Sequence, residues 1–509
     1  MRPGRGPNIP VFTEDRIMAN TALAPPAAAA AAPQVSRSTT PSGRLRLGGL
    51  TALVIGSMIG SGVFSLPQNM ASGAAPLAII IGWTITGVGM LAMALVYQRL
   101  STSKPELDAG PYAYAKAGFG PFIGFNSAWG YWISAWVGNV SYAVVVFSAL
   151  SFFYPAFGAG NTWQAVVGAS IVLWVIHTLV LSGVRQAALV NIVATIAKVA
   201  PIGLFIVLVM LAFHTNVFTL DFTGLATKGL GSVLTQVKST MLVTLWVFIG
   251  IEGASVVSAR AERRRDVGRA TIGGFLISLF LYALVSLLSL GIMKQPELAA
   301  LKNPSMAGVL EHVVGPWGAG LINIALVVSV FGAFLSWTML AAEIPFIAAR
   351  DGTMPRFFGH ANEKGSPTIS LWITNGLVQL FLIITLFANS TYQALFSIAS
   401  VAILVPYIFS GAYAAKLALT GDAGAQRQDL LIGAVATIYG IWLVYAAGPT
   451  YLFMAAMLYA PGIIFYAIAR RQGKARLFHP IEAFIAVLLI VAGVTAAWLI
   501  YTGAITPLS

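Results

Sequence analysis

The sequence of 509 residues contains no cysteine. Disulfide bonds, thiolate nucleophiles, iron–sulfur clusters and cysteine-based zinc sites are therefore excluded. Charged residues are scarce as well, because Asp, Glu, Lys and Arg together make up 9% of the chain, whereas soluble domains carry about a quarter. This composition excludes a water-soluble globular protein of this size, and also a disordered chain.

Hydrophobic residues make up 58% of the sequence, and runs of 20 or more apolar residues recur along it. Such runs are typical of helices that cross a lipid bilayer. The sequence thus predicts an all-α polytopic membrane protein with about 13 transmembrane helices. The predicted spans lie near residues 47–70, 76–99, 121–154, 163–183, 188–213, 238–259, 269–293, 318–349, 368–389, 392–417, 430–447, 449–469 and 481–503. The weakest separations between spans fall at Gly448-Pro449 and near Asn389.

The positive charges distinguish the two sides of the membrane. Of the 29 Lys and Arg residues, 24 fall in the N-terminal tail and in every second loop, whereas only four lie in the other loops. By the positive-inside rule the N-terminus is cytoplasmic, and 13 spans would place the C-terminus outside. The net charge of +13 is therefore a topology signal, and no nucleic acid is expected as a partner.

Residues 1–45 differ from the rest of the chain, since they contain five arginines and a Pro-Ala tract from Ala24 to Pro33. They lack the continuous apolar stretch that a secretory signal needs. We expect a disordered cytoplasmic tail, and the sequence leaves a regulatory role for it open.

Two glycine-containing motifs lie at matching places in two halves of the chain. IGSG (59–62) lies in the first predicted span and IGIEG (249–253) in the sixth. Five spans separate them, so the second copy is inverted relative to the first. Paired interruptions of this kind indicate the substrate site of an inverted-repeat transporter. Close helix packing through Gly56 and Gly60 is the alternative, but the matched positions favour unwinding.

Unwound helices expose backbone N–H and C=O groups, which must face a cavity or a ligand. The half-helix that begins after Gly62 offers N–H groups and a positive dipole end to a carboxylate. The break after Trp246 leaves carbonyl groups that can accept hydrogen bonds from an ammonium group. Together the breaks predict a site for the zwitterionic part of an α-amino acid, and they leave its side chain unspecified.

Three charged residues lie inside predicted spans, where burial is costly and a functional role is the default expectation. Glu252 is a candidate gate, proton relay or partner of a cationic substrate, and a purely structural carboxylate is the alternative. Lys198 can tie the fifth span to the first in place of a bound ion, or it can snorkel to the interface. Glu343 either attracts cations at the cytoplasmic end of the eighth span or pairs with Arg350.

Trp246 and Trp337 lie on the spans that would line the cavity. An indole face attracts a guanidinium or ammonium group by roughly 0.5–2 kcal/mol. Enzyme motifs of the G-x-S-x-G, Walker and H-E-x-x-H types are missing, and the five histidines show no metal-ligand spacing. We therefore expect a protein that is not an enzyme and that has neither a cofactor nor a metal site.

Several motifs resemble those of the amino acid–polyamine–organocation superfamily, over spans one to twelve. These motifs are IGSGVF (59–64), GPYAYA (110–115), GPFIG (120–124), YW (131–132), WVGN (136–139), WVFIGIE (246–252) and LVPY (404–407). Within the superfamily the chain is similar to the basic amino acid/polyamine antiporters. The segment SWTMLAAEIP (336–345) looks most like the arginine/ornithine antiporters of the arginine deiminase pathway, and a thirteenth span fits that branch.

The resemblance implies a LeuT-type fold with a 5+5 inverted repeat. Residues 46–213 would form the first repeat and residues 236–418 the second, with the C-terminal spans in residues 427–509. It also implies a multi-pass protein of the inner membrane whose partners are the lipid bilayer and the small molecules arginine and ornithine. A homodimer is left open.

The resemblance further implies roles for matched residues. Those assigned to the substrate are Ser61 and Gly62 for its carboxylate, the carbonyl groups of Met58, Trp246 and Ile249 for its α-ammonium group, Asn139 near its side chain, and Trp337 stacked on its cationic end. Those assigned to gating are Trp246 as a middle gate, Tyr131, Glu252 and Tyr407 as an inner gate, and Lys198, which falls where sodium-independent relatives carry a lysine.

The side-chain pocket departs from that of the arginine/agmatine antiporters. Tyr142 replaces a thioether, Ser134-Ala135 replaces an Ala-Cys pair, and Ala399 stands in the place of a serine that contacts substrate, with Ser400 adjacent. Glu343 replaces an uncharged glutamine. We therefore expect Ser134, Tyr142 and Ser400 to shape a different side-chain specificity.

These features predict a secondary antiporter that exchanges external arginine for internal ornithine by alternating access. A proton-coupled cationic amino acid symporter, with Glu252 or Lys198 carrying the proton, is the alternative. Lysine/cadaverine and ornithine/putrescine exchangers also stay open. A channel or a non-transporting membrane receptor is the alternative from a functional class other than secondary transporters.

Overall fold

The computed structural model describes Met1 and residues 47–107, 110–183, 188–252, 263–388, 391–421 and 426–505. The chain divides into two units, Met1–Arg44 and Leu45–Ser509. The predicted N-terminal tail, apart from Met1, and the separation near Asn389 lie outside the described residues. Apart from an isolated bridge between Ala361 and Pro367, the regular structure within these ranges is helical.

The helices of the described ranges follow one another in this order along the chain. They are α1 (Leu47–Met58), α2 (Leu66–Ala71), α3 (Pro76–Ser103), α4 (Pro111–Phe119), α5 (Pro121–Leu150), α6 (Trp163–Leu181), α7 (Ala188–Leu211), α8 (Thr215–Thr219), α9 (Val233–Trp246), α10 (Arg264–Ser289), α11 (Gln295–Ala299), α12 (Ser305–Val314), α13 (Pro316–Arg350), α14 (Thr368–Ala388), α15 (Tyr392–Ala402), α16 (Leu404–Leu419), α17 (Arg427–Tyr459), α18 (Gly462–Gln472) and α19 (Pro480–Tyr501). Short 3₁₀ helices cover Gly62–Ser65, Pro155–Phe157 and Arg356–Gly359.

Nine helical segments in the described ranges are long and apolar enough to cross a membrane, or ten if the bent pair formed by α1 and Gly62–Ala71 counts as one span. The prediction of an all-α polytopic membrane protein is therefore confirmed. Described helices overlap each predicted span, but α7 and α9 are not among the nine, and α17 with α18 counts as one. The number 13 stays a prediction.

The predicted separation at Gly448-Pro449 is present as a kink inside α17. Gly448 has φ +74° and ψ 167°, a non-helical conformation that interrupts the helix. Pro449 lacks the N–H that would restore the helical hydrogen bond. Residues Arg427–Gln472 extend over 46 residues, and a straight helix of that length would measure roughly 70 Å, more than twice the thickness of a hydrocarbon core. The kink lies near the middle of this segment, at the position of the predicted separation.

The first predicted helix break is present. Helix α1 ends at Met58, and a 3₁₀ turn begins at Gly62 and leads into α2. The two halves of this span make an angle of 48°. Gly62 has no room for a side chain, because a Cβ there would lie 2.7 Å from Val247 Cγ1 and 2.9 Å from Trp246 Cδ1. Glycine at this position therefore allows the first break to approach the second closely.

The second break begins where α9 ends at Trp246. Turns continue through Glu252, and Gly250 has φ +106°, a backbone conformation that favours glycine. Ser57 Oγ on α1 donates a hydrogen bond of 3.3 Å to the carbonyl oxygen of Gly250, which joins the two breaks. Residues 253–262, where this span would continue, lie outside the described residues.

Among the nine candidate spans of the described ranges, helix α5 is the most enclosed by protein. In its most apolar stretch 89% of the residues are buried, against 17% for α19. It packs against α13 and α15, while α19 packs mainly on α17 at the periphery. A helix enclosed by protein on all sides can place polar side chains at membrane depth, since their partners come from neighbouring helices. Helix α5 thus positions the residues that line the centre of the protein.

Candidate functional site

A cavity lies between the two helix breaks and the facing side of α5. Its lining includes seven of the ten predicted substrate-binding residues: Met58, Gly62, Ser134, Tyr142, Trp246, Ile249 and Trp337. The cavity is narrow, and only about 10 Å³ of it is open to a molecule of the size of water. An amino acid can therefore enter only if the aromatic walls move.

Four further residues complete the lining: Gly60, Ala135, Gly138 and Val247. The sequence analysis gave them no role in binding. Gly60, Gly138 and Val247 lie within the motifs IGSGVF, WVGN and WVFIGIE, and Ala135 follows Ser134. Their proximity to predicted residues is therefore the feature of the sequence from which they could have been identified. These residues are small or apolar and carry no charge, so they leave room in the cavity without adding a polar contact.

Three predicted substrate-binding residues lie beside the cavity without lining it. Ser61 Oγ is 2.9 Å from the hydroxyl of Tyr392. Asn139 is fully buried, and its Nδ2 donates a hydrogen bond of 3.2 Å to Thr338 Oγ1. Ser400 Oγ donates a hydrogen bond of 3.3 Å to the carbonyl oxygen of Leu242, so it faces α9 in this conformation. Contact of these residues with a substrate stays a prediction.

The backbone of both breaks retains hydrogen-bonding capacity. The carbonyl oxygen of Met58 accepts from the N–H of Gly60 at 3.0 Å, and that of Trp246 accepts from the N–H of Ile249 at 3.3 Å. Each carbonyl has a second lone pair that is free to accept from an ammonium group. The first N–H groups of the turn at Gly62 have no partner within that turn. The first break thus offers both donors and an acceptor to the cavity, and the second break offers acceptors.

Trp246 forms the central wall of the cavity. Its ring stacks on Phe396 at 5.8 Å between centroids and lies 5.8 Å from Tyr142 in a tilted arrangement. The indole Nε1 donates a hydrogen bond of 3.0 Å to the hydroxyl of Tyr392. Trp246, the predicted middle gate, is therefore held both at its ring faces and at its polar edge.

The three residues predicted to form an inner gate are hydrogen-bonded to one another in the structure. Tyr131 donates a short hydrogen bond to Glu252 Oε1, and Tyr407 donates one of 2.8 Å to Glu252 Oε2. The N–H of Gly250 also donates to Oε2, at 3.2 Å, so the glycine of the break orients the carboxylate. Tyr97, which the sequence analysis did not identify, packs edge-on against Tyr407. The cluster joins α5, the second break and α16.

The remaining predicted residues take different positions. Lys198 on α7 is buried, and its Nζ donates a hydrogen bond of 3.2 Å to the carbonyl oxygen of Gly56 on α1. Glu343 is partly exposed on α13. The guanidinium of Arg350, its predicted partner, lies 5.5 Å from the ring centroid of Phe346.

The model of the family described as amino acid permease matches residues 45–489. The chain belongs to the amino acid permease family. The predicted membership of the amino acid–polyamine–organocation superfamily is thereby confirmed, and this permease is a multi-pass membrane protein of a transporter family.

Relatives match this permease over nearly its whole length. An arginine/ornithine antiporter of Pseudomonas aeruginosa is 52% identical over 476 residues, covering 91% of this chain and 99% of the relative. A putative arginine/ornithine antiporter of Escherichia coli is 50% identical over 464 residues, covering 90% and 99%. An arginine/agmatine antiporter of Chlamydia pneumoniae is 44% identical over 468 residues, covering 90% and 96%.

Proposed function

We propose that this permease exchanges external arginine for internal ornithine across the inner membrane by alternating access. The cavity between the two broken helices carries this proposal, because it offers backbone donors and acceptors to a zwitterion and aromatic walls to a cation. The names of relatives that are 50% and 52% identical support this pair of substrates. The arrangement also agrees with the proposed inverted repeats, residues 46–213 and 236–418, each of which contributes one break.

The α-amino and carboxylate groups would be held by the backbone. N–H groups at Ser61 and Gly62 would bind the carboxylate, where the dipole of the following half-helix favours negative charge. The carbonyl groups of Met58, Trp246 and Ile249 would accept from the α-ammonium group. These contacts are independent of the side chain, so both arginine and ornithine can use them.

The cationic end of the substrate would be recognised by aromatic rings. Among the described residues that line the cavity there is no Asp or Glu, whereas Trp337 and Trp246 both contribute. An indole face attracts a guanidinium or an ammonium group without a fixed geometry of donors. Aromatic rings can therefore bind both the guanidinium group of arginine and the side-chain ammonium group of ornithine. A carboxylate in a fixed position would distinguish these two groups more strongly, because it forms a bidentate hydrogen-bonded pair with a guanidinium group.

Gating would occur on either side of the cavity. Trp246 would close over the bound substrate, and the cluster of Tyr131, Glu252 and Tyr407 would block the path to the cytoplasm. The N-terminus is placed in the cytoplasm by the positive-inside rule. Lys198 would provide a fixed positive charge between α7 and α1, so the cycle would need no bound metal ion there.

The exchange would be electroneutral, because arginine and ornithine carry the same charge at neutral pH. It would be driven by the two concentration gradients. Exchange becomes obligate if the empty transporter changes slowly between its outward-facing and inward-facing conformations. A bound substrate that contacts both helix breaks would lower the barrier to this conformational change.

Purified protein in proteoliposomes tests this proposal. The vesicles would be preloaded with ornithine, agmatine, putrescine or nothing, and uptake of radiolabelled arginine would be followed with and without an imposed proton gradient. We expect uptake only with internal ornithine, independent of the gradient. Uptake into empty vesicles driven by protons would instead establish a symporter, and uptake only against agmatine or putrescine would establish a different exchanger.

A further inference from the structure

Tyr392, the first residue of α15, lies between two residues of the site. It is 4% exposed, and its hydroxyl accepts a hydrogen bond of 3.0 Å from Trp246 Nε1 and lies 2.9 Å from Ser61 Oγ. Thr391 Oγ1 accepts from the N–H of Ala394 at 3.1 Å and so caps the start of α15, which holds Tyr392 in place. No motif in the sequence pointed to this residue.

The direction of the first of the two hydrogen bonds follows from the donors that are available. An indole N–H can only donate, so the Tyr392 oxygen accepts from Trp246. The phenol has one proton of its own, and Ser61 Oγ lies 2.9 Å away, where either hydroxyl can donate to the other. With the phenol as the donor, the bonds run from Trp246 through Tyr392 to Ser61.

Ser61 then keeps its own proton for another acceptor. It occupies the position before the turn Gly62–Ser65, yet its side chain does not cap that turn. Its hydroxyl lies where the first break meets the second, beside the proposed carboxylate site. Tyr392 itself does not line the cavity among the described residues, so it can act on a substrate only through Ser61 and Trp246.

We propose that Tyr392 is a positioning residue that presents the Ser61 hydroxyl as a donor to the substrate carboxylate and connects this contact to the gate residue Trp246. This inference rests on the proposed function, because it concerns the carboxylate end of that same site. A carboxylate accepts hydrogen bonds and does not donate them, so a hydroxyl held as a donor favours it. Hydrogen bonds in such a chain strengthen one another, and an anionic acceptor at the end strengthens each of them.

Selectivity for α-amino acids over the corresponding decarboxylated amines follows from this arrangement. Arginine completes the chain of hydrogen bonds with its carboxylate. Agmatine, which lacks that group, leaves the Ser61 proton without its anionic acceptor. The chain therefore adds to the affinity for arginine and contributes nothing to the affinity for agmatine.

The test is equilibrium binding of arginine and of agmatine to the purified full-length protein and its variants. Tyr392→Phe keeps the ring that packs on Phe396 and removes only the hydroxyl. We expect the affinity for arginine to fall roughly tenfold to 150-fold, as for the loss of a hydrogen bond to a charged group, and the affinity for agmatine to change less than twofold. Tyr439→Phe, which removes a buried hydroxyl 3.5 Å from Thr86 Oγ1 and away from the cavity, is the matched control and should leave both affinities unchanged.

A second variant separates the chain of hydrogen bonds from a direct contact. Ser61→Ala should reduce arginine affinity to a similar extent, and adding Tyr392→Phe to it should cause little further loss. An equal loss of arginine and agmatine affinity in Tyr392→Phe would overturn the proposal in favour of a packing role. A full additional loss in the Ser61→Ala background would overturn it in favour of a direct contact.

Failure of the proposed function is distinguishable, because it is measured by exchange in proteoliposomes and not by binding. A wild-type protein that binds arginine without exchanging it for ornithine still allows this test, and a wild-type protein that does not bind arginine is a separate result. In that case the same comparison applies to the α-amino acid that the wild-type protein binds and to its decarboxylated amine. A variant that does not fold is recognised by size-exclusion chromatography, and Ser61→Ala alone then decides whether the carboxylate contact exists.

Discussion

The ammonium group of Lys198 donates a hydrogen bond of 3.2 Å to the carbonyl oxygen of Gly56, which joins α7 to α1 just before α1 unwinds. The amine is buried at membrane depth, where an isolated charge is costly. The carbonyl near the C-terminal end of α1 is a favourable partner, because that end of a helix carries partial negative charge. This bond therefore stabilises the end of the first half-helix.

Replacement of Lys198 by methionine should slow exchange more than tenfold. The apolar side chain keeps the volume but leaves the carbonyl of Gly56 without its donor, so the end of α1 loses a fixed contact. The measurement is the initial rate of arginine/ornithine exchange in proteoliposomes. Lys302→Met, at an exposed position, is the control and should exchange at the wild-type rate. A wild-type rate in Lys198→Met would contradict a role for this bond.

Replacement of Glu252 by glutamine should reduce the exchange rate at least tenfold and change the equilibrium affinity for arginine less than twofold. The carboxylate accepts hydrogen bonds from Tyr131, Tyr407 and the N–H of Gly250. In glutamine an NH₂ group replaces one carboxylate oxygen, and this group cannot accept the hydrogen bonds that the oxygen accepted. Exchange rate and arginine binding are measured on the same preparations.

Glu311→Gln, an exposed position, serves as the control for this change. A parallel loss of affinity and rate would instead place Glu252 in the substrate site, and full exchange activity would remove its assignment to the inner gate.

Truncation of Trp337 to alanine should weaken arginine binding by about 1–2 kcal/mol, which corresponds to roughly fivefold to thirtyfold, because the cation loses an indole face. Trp337→Phe should lose less, since a smaller ring remains. Isothermal titration with arginine measures both. Trp317→Ala, which removes an exposed tryptophan at the other end of the same helix, should bind arginine normally. An unchanged affinity in Trp337→Ala would exclude stacking.

Replacement of Gly250 by alanine should destabilise the protein by about 1–3 kcal/mol, because a side chain is strained at φ +106°. The added Cβ would also lie 2.9 Å from the carbonyl oxygen of Ser57. A thermal unfolding midpoint in detergent, followed by tryptophan fluorescence, measures the effect. Gly376→Ala, inside α14 with open space around it, should not lower the midpoint. Equal midpoints for the two variants would show that the second break tolerates a side chain.

Much of the site could be predicted because its residues belong to contiguous motifs. Gly62 and Ile249 were identified by the breaks in two apolar spans, and Glu252 by its charge within a span. The seven lining residues that were predicted lie on the four elements that these motifs define, namely the two breaks, α5 and α13. The orientation of individual side chains was not predictable. Ser400, adjacent to the position of a substrate-contacting serine, bonds to α9 in the structure, and Tyr97 joins the inner gate from α3.

The sequence by itself determined the class of protein, because apolar runs and the distribution of lysine and arginine act through the bilayer as a solvent, residue by residue. It also located both helix breaks, since glycine and its neighbours control the local backbone. Only the tertiary structure decided which side chains meet across the cavity. Tyr392 and Ser61 are 331 positions apart, and Trp246 reaches the same hydroxyl from a third element. Such contacts depend on how the helices pack against one another, and no local pattern in the chain specifies that packing.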